Sequence, residues 1–336
     1  MIDEDIQYMS RALEIATLGA GEVSTNPMVG AVVVYDGKII GEGYHQRFGE
    51  AHAEVNALDS VADRDLIRHS TLYVNLEPCC HYGKTPPCCD LLIASKIKRV
   101  VVAMEDPFAL VAGEGIRRML DSGIDVEVGL MREEAEYLNR RFLTYHAKKR
   151  PYIIVKYART QDGYIDNDRE ASTPASWLTG YPCRVLVHRW RSEEDAIMVG
   201  TNSVLRDNPS LTVREWYGRN PLRITIDKRN VIPPSSKIFS DNAQTLVFTH
   251  ETIEDILYIL YSRGIQSVLV EGGKTLVESF YQSGYIDEIR EFISPLLLSD
   301  LKGGHGRGGV QAPEVQCTLI STQMIGNVVL NIKKPI

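Results

Sequence analysis

The sequence predicts an α/β protein of two domains, on three observations. Its 336 residues exceed the ~100–200 usual for one domain. β-Branched runs alternate with stretches of helical period, the pattern of a sheet covered by helices. That alternation is interrupted at Lys148-Lys149-Arg150-Pro151, a basic patch closed by proline, and then restarts. Domains over 1–147 and 151–336 are therefore expected.

The elements follow in order. Ile6, Met9, Leu13 and Ala16 share one helical face. Residues 29–35 form a β-branched run. Asp36-Gly37 is a hairpin turn, since glycine tolerates the positive φ that tight hairpins need, and 38–44 is the returning strand. Buried strands are predicted at 71–75 and 99–103, and helices at 113–122 and 133–146. The sheet should be parallel beyond its opening hairpin. In the second half strands are predicted at 152–158, 196–200, 222–227, 266–271, 289–296 and 328–332, with helices at 181–192 and 275–283. The glycine-dense stretch 303–309 is read as a mobile loop.

Composition excludes several classes. With 44% apolar and 24% charged residues the chain resembles ordinary globular proteins, not disordered ones. The net charge of −7 lacks the basic surface that duplex DNA or an anionic membrane demands, so neither nucleic acid nor membrane is an expected partner. No run approaches the ~20 apolar residues of a membrane helix. The acidic start, Met1-Ile2-Asp3-Glu4-Asp5, has no basic-then-apolar leader pattern, and a cytoplasmic location is expected.

Four of the six cysteines (Cys79, Cys80, Cys88, Cys89) cluster within eleven positions. In a reducing compartment such a cluster reads as metal or catalytic chemistry before disulfides. His52-Ala53-Glu54 precedes it. His52, Cys79 and Cys88 offer one imidazole and two thiolates, three ligands suited to Zn2+ with a fourth position left for water. Zinc brings the pKa of that water toward neutrality. Glu54, two residues past the histidine at a helix start, can face the water and shuttle its proton, as in the nucleobase deaminases. His81 is a rival ligand. Cys80 and Cys89 are read as small buried thiols, or as members of a closed four-thiolate structural site.

Three runs resemble one family: Asn26-Pro27-Met28-Val29-Gly30, His52-Ala53-Glu54-Val55-Asn56-Ala57, and Glu77-Pro78-Cys79-Cys80-His81-Tyr82-Gly83-Lys84-Thr85-Pro86-Pro87-Cys88. They are similar to the bifunctional riboflavin-biosynthesis deaminase/reductases. Cytidine deaminases close the thiol pair as Cys-x-x-Cys, whereas here eight residues intervene. The likeness continues through Asp106-Pro107 and Val111-Ala112-Gly113 and covers essentially the whole chain. It implies an N-terminal cytidine-deaminase-like three-layer domain, acting on a pyrimidine ribosyl phosphate. Asn26, His45 and Lys84 would line that pocket, the amide for the ring and the lysine for phosphate.

In the second half Glu271-Gly272-Gly273 follows a strand and precedes a helix, which suits either a phosphate or a tight turn. No Gly-x-Gly-x-x-Gly supports a Rossmann domain. Trp177-Leu178-Thr179, Asp195-Ala196-Ile197-Met198-Val199-Gly200 and Leu211-Thr212-Val213-Arg214 look like the family's reductase half. That likeness implies a dihydrofolate-reductase-like α/β domain using NADPH. Arg191, Leu211, Arg214 and Glu271 would contact substrate, and Ala158, Trp177, Ser203, Asp207 and Gly273 the cofactor. Ala175 stands where the family often has serine, and Lys274 replaces the usual proline, where it is read as a solvated lysine at a helix start. A deaminase with a degenerate or redirected reductase half is the alternative. A homo-oligomer is expected from exposed strand edges.

Overall fold

The computed structural model describes residues 2–81, 86–106, 113–169, 173, 175–240, 243–301 and 308–336. Lys84, Pro107, Val111, Ala112 and most of the glycine-dense stretch lie outside the described residues. The chain divides into two compact units, Met1–Lys149 and Arg150–Ile336.

The first unit is built on β1 (Gly30–Tyr35), β2 (Lys38–Tyr44), β3 (Thr71–Val74), β4 (Arg99–Val102) and β5 (Asp125–Val128), in the order β2-β1-β3-β4-β5. β1 runs antiparallel to β2 and β3, and β3, β4 and β5 run parallel. Asp36 and Gly37 both take positive φ (48° and 72°), the backbone of the predicted hairpin turn. The helices are α1 (Ile2–Ala16), α2 (Ala53–Asp59), α3 (Cys88–Ser95), α4 (Glu114–Asp121), α5 (Arg132–Leu138) and α6 (Arg140–Lys148).

Strand side chains alternate between two cores. Ala31, Val33, Leu72, Val74, Val100 and Val102 pack with α2, α3 and α4 through Ala57, Leu92 and Met119. Val32, Val34, Tyr73 and Val101 pack on the opposite face with Met9 and Leu13 of α1 and Ala135 of α5. Burial on both faces makes these strands continuous apolar runs, and it gives the expected three layers.

Arg150–Ile336 holds an eight-stranded sheet of order β10-β9-β8-β11-β6-β12-β15-β14. Its strands are β6 (Tyr152–Arg159), β8 (Ala196–Gly200), β9 (Leu222–Ile226), β10 (Thr245–Phe248), β11 (Ser267–Val270), β12 (Glu288–Ile293), β14 (Cys317–Ile325) and β15 (Val328–Pro335); β7 (Tyr164–Asn167) and β13 (Gly309–Gln311) form a separate ribbon. The strands from β10 to β12 are parallel, and β15 and β14 close the sheet antiparallel. The helices are α7 (Tyr181–Glu193), α8 (Thr201–Asp207), α9 (Ile253–Ser262) and α10 (Lys274–Gln282). α9 and α10 cover one face through Ile256, Leu260, Val277 and Phe280. α7 covers the other through Cys183, Val187 and Trp190.

The expected helix over 133–146 is two helices. Asn139 stands between α5 and α6 at φ −95°, ψ 17° and turns its side chain inward, 2% exposed. The break serves that side chain, whose two hydrogen bonds are described below. Absent from the expected elements are also α3, β5, β7, α8, α9, β10, β13 and β14.

Candidate active sites

Three elements bring the first site together. His52 is the N-cap of α2, Cys79 follows β3, and Cys88 is the first residue of α3. His52 Nδ1 lies 3.2 Å from Cys88 Sγ and 3.4 Å from Cys79 Sγ, and the three donor atoms fall within 4.8 Å of one another. Zn–S bonds near 2.3 Å and Zn–N near 2.0 Å in a tetrahedron put N and S roughly 3.6 Å apart. Donor set and spacing therefore both fit zinc. The Cys79 thiol is held down by its hydrogen bond with Cys88 and, against burial, by His52. That same bond, with burial, pushes Cys88 up. Among the described residues no fourth side chain joins the group. His81 is exposed, and Cys89 packs into the core with Leu92 and Met119. Cys79→Ser or Cys88→Ser should each lower bound zinc below one per chain, measured by metal analysis after chelator challenge; full zinc in both would return the assignment to His81, Cys80 or Cys89.

Glu54 sits in the first turn of α2, 3% exposed. Burial, and then the charge of Cys79, push its carboxyl up to about 7. A buried carboxyl with no Lys or Arg paired to it among the described residues is placed for proton traffic more than for structure.

Asn26 Nδ2 is 3.0 Å from His45 Nε2, and His45 Nδ1 is 3.0 Å from the Ala51 carbonyl. A carbonyl only accepts, so Nδ1 carries the proton and Nε2 accepts from the amide. Burial lowers the His45 pKa and keeps this neutral tautomer. Asn26 thereby retains Oδ1 and one N–H for a ligand. The His45 ring lies edge-on to His52 at 5.6 Å, which places this pair beside the metal ligands.

Glu77 is a residue the sequence reading quotes without a role. Its buried carboxylate accepts from the backbone N–H groups of Asp106, Gly113, Gly115 and Ile116 at 2.9–3.2 Å. It thus ties the chain just before Cys79 to the start of α4. A side chain at Gly115 would come within 2.3 Å of the Pro78 carbonyl, so only glycine permits this approach.

In Arg150–Ile336 all nine residues expected at the reductase site line one cavity of about 1430 Å³. That exceeds the ~300–1,000 Å³ of a single-ligand pocket and suits a dinucleotide with a second molecule. At its floor Glu271 accepts two hydrogen bonds from Arg191, at 2.8 and 2.9 Å, and one from Lys156 at 3.3 Å. Burial pushes the Glu271 carboxyl up, but Arg191 and Lys156 together outweigh it and hold it below the ordinary carboxylate range. Lys156, missed in the sequence, follows the apolar run Tyr152–Val155 in β6.

Arg214 is exposed, and its guanidinium meets Ser210 and, at 3.0 Å, Thr212. Its backbone N–H donates to His188 Nδ1 at 3.0 Å. Burial, with Arg191 and Arg214 nearby, brings His188 down to about 4, so it is a neutral acceptor at pH 7. Asp207 is paired with buried Arg169. Gly273 caps α10, and a Cβ there would meet no protein atom within 4 Å. The helix start is thus open to a phosphate, which fits the cofactor expectation. Lys274 also lines the cavity and lies 3.6 Å from Glu278.

Fold and site together define a zinc-dependent deaminase fused to a reductase. Residues 2–104 match the cytidine and deoxycytidylate deaminase zinc-binding region, and residues 151–331 match the RibD C-terminal domain. The chain belongs to the RibD family, the bifunctional deaminase/reductases of riboflavin biosynthesis. It is 39% identical to the riboflavin biosynthesis protein RibD of Aquifex aeolicus, over 88% of each chain. It is 39% identical to RibD of Escherichia coli, over 89% of this chain and 90% of the relative. A crystal structure from Thermotoga maritima, described as a diaminohydroxyphosphoribosylaminopyrimidine deaminase/5-amino-6-(5-phosphoribosylamino)uracil reductase, superposes with a TM-score of 0.89 at 37% identity, covering 100% of this chain and 99% of that one. The cofactors of this chain are zinc in the deaminase and NADPH in the reductase. No described helix is long and apolar enough to cross a membrane.

Proposed function

We propose that the chain hydrolyses the ring amine of 2,5-diamino-6-ribosylamino-4(3H)-pyrimidinone 5′-phosphate and then reduces the ribosyl side chain, giving 5-amino-6-ribitylamino-2,4-pyrimidinedione 5′-phosphate. Residues 1–147 carry the first step and 151–336 the second. The observation that carries this reading is the convergence of nine residues, scattered from Ala158 to Gly273, on one cavity large enough for cofactor and substrate.

His52, Cys79 and Cys88 would hold zinc, which would supply a water acidic enough to attack at neutral pH. Glu54, buried beside these ligands, would take a proton from the attacking water and return protons to the ring nitrogen and the departing amine. Asn26 reads the pyrimidine through its free amide groups, and Lys84 meets the phosphate. His45 orients Asn26 from within the protein, since both its ring nitrogens are engaged there.

In the second domain NADPH, once bound, would supply the hydride. Ala158, Trp177, Ser203 and the turn at Gly273 hold it, with Asp207 steadied by Arg169. Glu271 neutralises Arg191, so the substrate phosphate falls chiefly to Arg214, whose main chain is held by His188. Leu211, packed with Val199 and Val204, lines the same cavity and would contact the substrate. Holding donor and acceptor in register is most of the catalysis such a site must provide.

The chain acts as a homo-oligomer: the edge strand β14 exposes Leu319, Ile320 and Met324, an uncapped apolar edge. A cytoplasmic location is supported by six cysteines that form no disulfide.

The test uses purified protein, the pyrimidine phosphate and NADPH, with ammonia release and nicotinamide absorbance followed together. Ammonia release followed by NADPH loss is expected. Ammonia alone would show a redirected reductase; neither signal, with zinc bound, would reject the assignment. Arg214→Ala should raise the reductase KM about 10- to 100-fold while deamination is unchanged. Equal loss of both activities would reverse the placing of Arg214.

A further inference from the structure

The segment Asn26–Gly30, which carries Asn26 to the deaminase site, is held by side chains from distant parts of the chain. Asn139 Oδ1 accepts the Met28 N–H at 2.8 Å, and Asn139 Nδ2 donates to the Met28 carbonyl at 3.0 Å. Asn75 Nδ2 donates to the same carbonyl at 3.0 Å, and its Oδ1 accepts the Gly30 N–H at 2.8 Å. Both amides are buried, Asn75 fully and Asn139 to within 2%. On the other side His45 N–H donates to the Val29 carbonyl at 2.9 Å.

A carboxamide that bonds both the N–H and the C=O of one residue acts as a strand partner one residue long. It fixes the position and the rotation of the two peptide planes that flank Met28. Pro27 fixes φ of the next link toward Asn26 and has no N–H of its own to bond. A constraint at Met28 is therefore passed to Asn26 through a stiff connection.

Asn139 pins this segment from 111 residues away, and it does so from the break between α5 and α6. That helix pair lies beyond residues 2–104, which match the zinc-binding region. We propose that Asn139 is a positioning residue for deamination: it holds Pro27-Met28 so that the Asn26 amide stands where it reads the substrate ring. The inference rests on the reading of Asn26 as a substrate-binding residue.

The test is a double-mutant cycle on the full-length, zinc-loaded enzyme, with kcat and KM for ammonia release measured for wild type, Asn139→Leu, Asn26→Ala and the pair. Zinc content and NADPH-dependent reduction of the deaminated intermediate report folding in the same chain. Asn139→Leu should cost about 10- to 100-fold in kcat/KM with both controls unchanged, the loss expected when a reacting group is misplaced by about 1 Å. In the Asn26→Ala background it should cost less than about threefold, because the group it positions is gone. An equal cost in both backgrounds, or none in wild type, overturns the inference and leaves Asn26 standing. An Asn26→Ala enzyme with wild-type kinetics overturns the reading of Asn26, and the inference with it. Should Asn139→Leu fail the folding controls, Asn139→Asp takes its place in the cycle. It keeps the acceptor for Met28 N–H, Asn75 still serves the carbonyl, and the same non-additivity is required of it.

Discussion

Replacing Glu54 by glutamine (Glu54→Gln) leaves zinc in place and lowers kcat for deamination by about 10²–10⁴-fold. Glutamine keeps the volume and one acceptor oxygen, so α2 and its N-cap His52 stay as they are. What it loses is a group able to accept a proton and give it back. Glu54 is 3% exposed, and no other described carboxylate joins the donor group. Bulk water is then a poor substitute, which makes the effect large. Metal analysis and ammonia release decide the matter together: full zinc with near wild-type turnover would remove Glu54 from the mechanism. Reduction of the deaminated intermediate should be untouched.

Glu271→Gln should abolish reduction and destabilise its domain by about 3–5 kcal/mol, the usual cost of stripping one partner from a buried ion pair. Arg191 and Lys156 would be left as two cations facing one another across a mostly buried site. The readout is the urea midpoint of the transition that carries reductase activity. A domain of each kind can unfold separately, so the transition must be assigned by activity or local fluorescence. The effect should also depend on pH. The folded-state pKa of Glu271 is depressed, so its stabilising contribution is present above the unfolded pKa, about 4.3, and is lost as pH falls through the lower folded value. The gap between wild type and variant should therefore narrow in acid below about pH 4. A gap that is flat or widening in that range would contradict the ion-pair account.

The parts legible in the sequence are those whose chemistry is local or whose burial is two-sided. His52, Glu54, Cys79 and Cys88 are recognisable because zinc-dependent deamination calls for an imidazole, thiolates and a carboxylate, and these fall in two compact motifs, at 52–54 and 79–88. β1, β3 and β4 are recognisable because both their faces are buried, which leaves apolar runs, and β2 is recognisable from the Asp36-Gly37 turn before it. β5 and β14 are not, because solvent on one side breaks the pattern: Asp125 and Glu127 are exposed on β5, and nearly all of β14 is exposed. α9 carried a readable signal that the periodicity reading passed over, Thr252 and Asp255 forming a capping box. Asn139 and Glu77 could not be read, since each acts through backbone groups far away in sequence. Lys156 gives a partial signal as a charge that interrupts an apolar run, but its partner Glu271 is 115 residues distant.

The placing of His52, Cys79 and Cys88 at two helix starts and one loop bears on how the deaminase domain keeps its shape. These segments are separated by 27 and 9 positions along the chain. An ion bound to all three is a cross-link, and one that the unfolded chain cannot hold in the same geometry. Metal capture and local order are then a single equilibrium governed by mass action. Above the dissociation constant, each tenfold rise in free zinc adds about 1.4 kcal/mol to the folded state. The zinc supply of the cell therefore sets what share of the domain is folded as well as what share can deaminate.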